Sequence, residues 1–405
     1  MKTQALIMTV VLAAVGCGEG DDANTPGGAG GASGGSGGSG ASATGGAGGG
    51  ATGGTGGGGT GGTGGACVDA CPTSSAGVTW GCKKRFMVGT NWAWRDWGAD
   101  FGGIAAWNKS GVAADSAAIA SDMATLQSDG VNVIRWWMFP RFLSDGIEWG
   151  QDGAPSGIGG SMIADIHKAL ELAEQHDVFI MLTPFSFDNF HPTATESGVY
   201  SRSIRPLLQS AAARKKLLDN LVVPVAQAVE SSPYKQRMLA WDLVNEPEWA
   251  VNGANKYGGA AFDADADLEQ VSHAEMETFL QEMAAALRAN SGALLSVGGA
   301  AIKWHDAWLE VDQDFYSFHY YDWVYQYYPY TSVTPQSLGL TKPVVIGEFP
   351  NSGLSAVGSA GQVLQGLWDH GFAGGLTWAF NDAAFPWTGD EVASFSQAHA
   401  CETKY

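Results

Sequence analysis

Two glutamates about a hundred residues apart stand where apolar, strand-like runs end. Glu246 follows Met238-Leu239-Ala240-Trp241-Asp242-Leu243-Val244-Asn245, and Glu348 follows Pro343-Val344-Val345-Ile346-Gly347. The carboxyl ends of strands are the edge at which a parallel barrel displays its reactive groups. Two carboxylates on that edge suit cleavage of a glycosidic bond, one as proton donor and the other as nucleophile or base. A single glutamate at a strand end is more often a solvated loop residue or a helix cap. The reading therefore rests on the pair and on the elements that bring it together.

Those elements repeat. Apolar, β-rich runs at 86–90, 131–136, 178–184, 238–244, 294–297, 315–320, 344–347 and 375–379 alternate with helical patterns near 115–128, 161–177, 211–231, 272–290 and 356–370. Weaker helical patterns occur at 303–309 and at the C-terminus, and the aromatic, Pro-containing stretch 322–342 has no clear one. Ile163, Ile166, Leu170 and Ala173 recur at helical spacing, with His167, Lys168, Glu171 and Glu174 between them, which predicts an apolar stripe facing inward. Eight strands alternating with helices predict an α/β fold, a (β/α)8 TIM barrel. An open doubly wound sheet would show a Gly-rich phosphate turn after an early strand, whereas Gly89-Thr90-Asn91-Trp92-Ala93-Trp94 is aromatic.

With Glu246 after the fourth strand and Glu348 after the seventh, the chain resembles the retaining glycoside hydrolases with eightfold barrels, and within them glycoside hydrolase family 5, the cellulase and β-mannanase family. The resemblance covers roughly 85–400. It implies that Glu246, directly after Asn245, is the acid/base and Glu348 the nucleophile. It implies further that Arg135, ending Val133-Ile134-Arg135, keeps the nucleophile ionised. In His319-Tyr320-Tyr321 the family's His-x-Tyr would place Tyr321 as a donor to Glu348 and His319 in the site wall. Trp378 would be the floor beneath the sugar beside the scissile bond, and Asn245 the partner of its 2-hydroxyl. The family commonly carries a histidine at the end of strand three. This chain reads Thr183-Pro184-Phe185-Ser186-Phe187-Asp188-Asn189-Phe190-His191, so His191 or Asp188 would serve from the loop. The activity implied is retaining, endo-acting hydrolysis of β-1,4-mannan or β-glucan. An exo-acting β-glycosidase of the same clan and a non-catalytic carbohydrate-binding barrel are the alternatives.

A charged carboxylate at Glu348 disfavours ionisation of Glu246, so one member holds the proton and the other attacks. Retention predicts carboxyl groups about 5 to 5.5 Å apart. Glu248 competes for the acid role only by proximity, since it does not follow Asn245. His305, Asp306 and His399 lack metal-ligand spacing, and Asp263, Asp265 and Asp267 lack the glycine and the bidentate glutamate of a calcium loop. Neither a metal nor a cofactor is expected.

The net charge of -20, from 41 acidic against 21 basic residues, argues against nucleic acid or an acidic polysaccharide as partner. The 16 tryptophans instead suit neutral sugar rings, whose CH faces stack on aromatics, and Trp92 after the first strand is one candidate. At the N-terminus, Lys2 precedes an apolar run from Ala5 to Val15 and then Gly16-Cys17, which reads as a lipoprotein-type signal over 1–17 that leaves Cys17 for lipidation. Ala14 stands where such signals more often carry Leu. Residues 18–66 are almost wholly Gly, Ser, Thr and Ala, a tether expected to be disordered with a root-mean-square span of roughly 35–42 Å. The barrel domain is then 67–405. A monomer outside the cytoplasm is expected, secreted or in contact with a membrane only through its lipid. Cys67, Cys71, Cys82 and Cys401 leave an even number for disulfides, and of the three pairings Cys82 with Cys401 and Cys67 with Cys71 is favoured, because a closed barrel brings its ends together.

Overall fold

In the computed structural model, which describes residues 69, 71 and 76–405, the apolar runs form eight parallel strands. They are β1 (Met87–Asn91), β2 (Val133–Trp137), β3 (Phe179–Thr183), β4 (Met238–Asn245), β5 (Leu294–Gly299), β6 (Tyr316–His319), β7 (Val344–Pro350) and β8 (Gly374–Trp378). Each pairs with its successor, and β8 returns to β1, Trp378 facing Asn91, so the sheet closes on itself. Closure leaves none of these strands with an open edge. The signal segment 1–17 with Cys17, the tether 18–66 and Cys67 lie outside the described residues.

Alternation along the strands decides which side chains meet in the barrel. On β1, Asn91 points inward and bonds Arg135, so Trp92, the next residue, faces the surrounding helices. Trp92 is fully buried there, stacked on Trp136 with ring centroids 4.7 Å apart, and it packs against Phe380. The candidate sugar contact at Trp92 is therefore corrected to a packing residue of the outer layer.

That outer layer is built by α1 (Ser116–Ser128), α2 (Met162–Gln175), α3 (Ala211–Leu217), α4 (Val223–Ser231), α5 (His273–Asn290), α6 (Ala360–Asp369) and α7 (Gly389–Ala398). Between α3 and α4 the chain makes a π turn over Leu218–Val222, just before Pro224, whose ring and missing N–H do not fit an unbroken helix interior. Helix α5 begins at a capping box of Ser272 and Glu275, which satisfies N–H groups the first turn leaves free. On α2 the inward face holds Met162, Ile166, Ala169, Leu170 and Ala173, each large member contributing about 1.5–3 kcal/mol by burial. Ile163, expected on that face, is 49% exposed, because Met162 takes the inward position in the first turn. The weak pattern at 303–309 yields only a 3-10 turn, Ile302–Trp304, and 322–342 only the four-residue helix Asp322–Tyr325. Both segments bury aromatics in irregular loops, which period counting does not register.

The amino-terminal floor of the barrel is covered by an antiparallel hairpin, Val78–Trp80 with Lys83–Arg85, and by the C-terminus. The Tyr405 ring sits 5.5 Å from that of Phe179 at the foot of β3, and its hydroxyl donates to Val78 O. Arg85 donates to Lys404 O at 2.7 Å and to Asp69 Oδ1 at 2.5 Å, and Asn132 donates to Thr403 O. Here Cys71 is bonded to Cys401. Cys82 is also disulfide-bonded, so the favoured pairing of Cys82 with Cys401 and Cys67 with Cys71 is overturned. Closure does join the chain ends, but the hairpin carries Cys82 off while residue 71 lies against the C-terminal helix turn.

Candidate active site

At the opposite rim, strand irregularities aim the two glutamates. The β4–β5 ladder shifts register between Asp242 and Asn245, and the β7–β8 ladder shifts between Ile346 and Phe349, around Glu348. A bulge of this kind turns a side chain away from its regular alternation. Glu246 itself takes a left-handed conformation, φ 51° and ψ 50°, which costs about 1–2 kcal/mol for a residue with a Cβ. Its N–H bond to Gly298 O at 2.6 Å and the bond from Trp249 N to Glu246 O hold it there.

Arg135 is the hub. Fully buried on β2, it donates from Nε and Nη2 to Asp242 Oδ2 at 2.7 and 2.5 Å, and from Nη1 to Glu348 Oε1 at 2.7 Å. Its remaining donors reach Asn91 Oδ1 at 2.9 Å and Asn245 Oδ1 at 2.7 Å. Gly298 makes room for this fork: a Cβ there would lie 2.5 Å from Arg135 Nη2 and 2.7 Å from Asp242 Oδ2. The guanidinium also lies 4.3 Å from the centre of the Trp137 ring, which packs edge-on against Trp378 at 5.6 Å.

The two carboxyl groups have different surroundings. Glu348, 3% exposed, accepts from Arg135 and from the Tyr321 hydroxyl at 2.8 Å. Glu246 accepts from the Trp249 indole at 2.8 Å through Oε2, while Oε1 lies 2.7 Å from His319 Nδ1. One oxygen of each glutamate and a ring nitrogen of His319 lie within 4.8 Å of one another. Burial pushes Glu246 up to about 7, against the Trp249 hydrogen bond and the Arg135 charge, with Asp188 adding to the rise. Burial also raises Glu348, aided by charge on Glu246 and opposed by His319, Arg135 and Tyr321; the lowering expected from Arg135 is present but outweighed. His319 is pushed down to about 4 by burial, so its ring is neutral at neutral pH. Among the described residues, Glu246, His319 and Glu348 form the group with metal-ligand proximity. A cation placed there would meet the Arg135 guanidinium already bound to Glu348, which argues for an arginine-balanced site over a metal centre.

The structure thus gathers Arg135, Asn245, Glu348 and Tyr321 in one hydrogen-bonded group and sets the hydrogen-bonded pair Glu246 and His319 against it, His319 Nδ1 lying 3.5 Å from Glu348 Oε2, with Trp378 alongside through Trp137. His191 lies apart on the strand-three loop, next to Asp188, with no side-chain hydrogen bond to the cluster among the described residues. Asp188 connects through Ser186: Ser186 Oγ donates to Asp188 Oδ2 at 2.9 Å, and Asn245 Nδ2 donates to Ser186 Oγ at 3.3 Å. Glu248 is turned away, accepting from Ala300 N and the Trp308 indole. Four participants escaped the sequence reading: Asn91, Asp242, Gly298 and Trp249. Asp242 carried a signal, because a charge inside an apolar strand demands a buried partner. Trp249 carried a weaker one, three residues after Glu246, where a 3-10 turn brings side chains together.

No family model matches the chain. The chain is 24% identical over 330 residues to the mannan endo-1,4-beta-mannosidase of Mytilus edulis, covering 74% of this chain and 85% of that protein. It is equally 24% identical over 361 residues to the enzyme of that name from Cryptopygus antarcticus, covering 76% and 84%. Among solved structures, the beta-1,4-mannanase of the sea hare Aplysia kurodai superposes with a TM-score of 0.67 at 18% identity, over 83% of this chain and 99% of that one. The resemblance read from the strand ends thus extends through the sequence and over the whole barrel: the chain resembles the glycoside hydrolases of family 5 and has the closed (β/α)8 fold of the β-mannanases.

Proposed function

We propose that the protein is a retaining endo-β-1,4-mannanase. The observation that carries this reading is the carboxyl pair itself: an oxygen of Glu246 and one of Glu348 lie within 4.8 Å of each other, which supports the close spacing of a retaining pair over the roughly 6.5–9.5 Å of an inverting one. The names of the relatives from Mytilus edulis and Cryptopygus antarcticus favour mannan as the polysaccharide.

The roles follow from the charge balance. One guanidinium serves Asp242 and Glu348, while Glu246 adds a third carboxyl near a neutral imidazole. With the charged donor Arg135 and the Tyr321 hydroxyl on Glu348, and only the neutral indole of Trp249 and a neutral imidazole beside Glu246, the proton belongs on Glu246. Glu348 attacks the anomeric carbon as Glu246 protonates the departing glycosidic oxygen, giving a glycosyl-enzyme and a free sugar end. Esterification removes the charge of Glu348, and Glu246, now a carboxylate, takes a proton from the water that attacks the same carbon. Glu348 leaves as the carboxylate and the configuration is retained. Asn245, held by Arg135, is assigned to the 2-hydroxyl, and Trp378 to the face of the sugar.

The disulfide at Cys401 supports a compartment outside the cytoplasm, and no helix of the described residues is long and apolar enough to cross a membrane. The signal 1–17, the lipid at Cys17, the tether 18–66, the domain 67–405 and a monomeric state complete the proposal.

Digestion of β-1,4-mannan, β-glucan and xylan by the purified full chain tests it. Internal cuts in mannan with the β-anomer as first product are expected. First release of the α-anomer would overturn retention, terminal mannose alone would indicate exo action, and binding without new reducing ends would leave only a binding barrel.

A further inference from the structure

Glu246 is also held by a side chain of its own turn. Glu246, Pro247, Glu248 and Trp249 form a single tight turn. Glu248, buried, anchors its middle, accepting from Ala300 N at 2.9 Å and from Trp308 Nε1 at 2.7 Å. The backbone of Trp249 is fixed from the other side, its carbonyl accepting from Asp265 N at 2.8 Å. The Trp249 ring meets Trp304 edge-on at 5.6 Å and Trp323 at 5.9 Å, and Lys303 Nζ lies 3.7 Å from the Trp304 ring. Trp304 is buried and Trp323 is 40% exposed, so this wall runs from the interior to solvent beside Glu246. From it the indole N–H reaches Glu246 Oε2 at 2.8 Å.

We propose that Trp249 is a positioning residue for the acid/base: its N–H fixes Glu246 Oε2 and steadies the carboxylate that remains once the proton has passed to the departing oxygen. This rests on Glu246 being the acid/base. A donor to a carboxylate favours its charged form, so the contact makes Glu246 a readier acid and keeps it oriented for the second half-reaction. The groups facing Glu246 are otherwise shared with the rest of the site: Arg135 from β2, Asp188 from the strand-three loop, His319 from β6 and Tyr321 just past it, Glu348 from β7 and Glu248 in its own turn. Of the two side chains hydrogen-bonded to the Glu246 carboxyl among the described residues, Trp249 and His319, only the indole cannot titrate in this range, which makes its effect separable.

The test is Trp249→Phe, which keeps a ring in the wall and removes the donor, with Trp249→His returning a ring N–H and Trp323→Ala loosening the wall without touching the contact. The pH profile of kcat/KM is measured on a β-1,4-manno-oligosaccharide and on a 2,4-dinitrophenyl β-mannoside, whose leaving group needs no proton. For Trp249→Phe we expect the alkaline limb to move up by about one pH unit and kcat on the oligosaccharide to fall about tenfold, with less than a twofold change of the glycosylation rate on the activated substrate. Trp249→His should bring the limb part of the way back, and Trp323→Ala should leave it in place. A limb unmoved in Trp249→Phe, equal losses on both substrates, or the same shift in Trp323→Ala would overturn the proposal. Wild-type rates for Glu246→Ala on the oligosaccharide would instead remove the acid/base assignment beneath it.

Discussion

Each end of the barrel buries an arginine, and the two are satisfied in opposite ways. At the floor Arg85, 1% exposed, donates to the backbone carbonyls of Lys404 and Lys84 and pairs with one carboxylate, Asp69. At the rim Arg135 makes its hydrogen bonds to side chains alone, those of Asp242, Glu348, Asn91 and Asn245, with Glu246 close by as a further acid. Carbonyls do not titrate, so the floor is balanced at every pH at which Asp69 is ionised. The rim has more carboxyl groups than cations, and the surplus is relieved by holding a proton in a place from which it can move. A buried cation poses the same problem at both ends, yet neutral oxygens yield a latch while an excess of acids yields a reactive site.

The largest effect should come from removing the surplus at the rim. Glu348→Gly is expected to lower kcat by on the order of 10⁴-fold on mannan while keeping the wild-type melting temperature or raising it, and azide should restore turnover of an activated mannoside. Loss of the fold in this variant would erase the contrast between a reactive rim and a stabilising floor. Arg135→Met should be costly in both respects. It leaves Asp242 and Glu348 buried without their cation, so denaturant unfolding should show a loss of about 3–5 kcal/mol together with loss of activity. At the floor, Cys401→Ser opens the link to Cys71 and should lower stability by about 2–4 kcal/mol, with kcat/KM at 25 °C unchanged; a matching fall in kcat/KM would mean that floor and rim are coupled.

The smallest effect concerns pH. Glu246 is raised from 4.5 to about 7 in the fold, so between those values the folded protein binds a proton that the unfolded chain has released. Stability therefore falls as pH rises through that window. Glu246→Gln should flatten this part of the curve in melts taken from pH 4.5 to 8, whereas an unchanged slope would place the retained proton elsewhere in the cluster. Asp69 gives the opposite sign: Arg85 holds it below 3.8, so its contribution is present at neutral pH and is lost as the pH falls below that value.

Much of this is legible in the sequence. The runs at 238–244 and 344–347 mark strands because β-branched and apolar residues cluster over lengths that local patterning detects, and a glutamate just past such a run lies at a rim. The stripe Ile166, Leu170 and Ala173 likewise needs only the helical period. What failed was local evidence standing in for distant geometry. Trp92 looked available in a loop, but its side of the sheet is fixed by Asn91 bonding a residue 44 positions away. The cysteine pairing failed for the same reason, since Cys71 and Cys82 are both near the floor and only the hairpin's path separates them.

By itself, the amino-acid sequence determined the strands, their number and order, and the placement of Glu246 just past the fourth and Glu348 near the end of the seventh, because these depend on short-range periodicity and on the chain's own succession. Only the tertiary structure decided that Arg135 lies between Asp242 and Glu348, that Gly298 leaves room for it, that Trp249 reaches back to Glu246, and that Cys71 is the partner of Cys401. Each of these depends on ring closure, on a shift of register or on a single tight turn, and such contacts leave no period in the sequence to read.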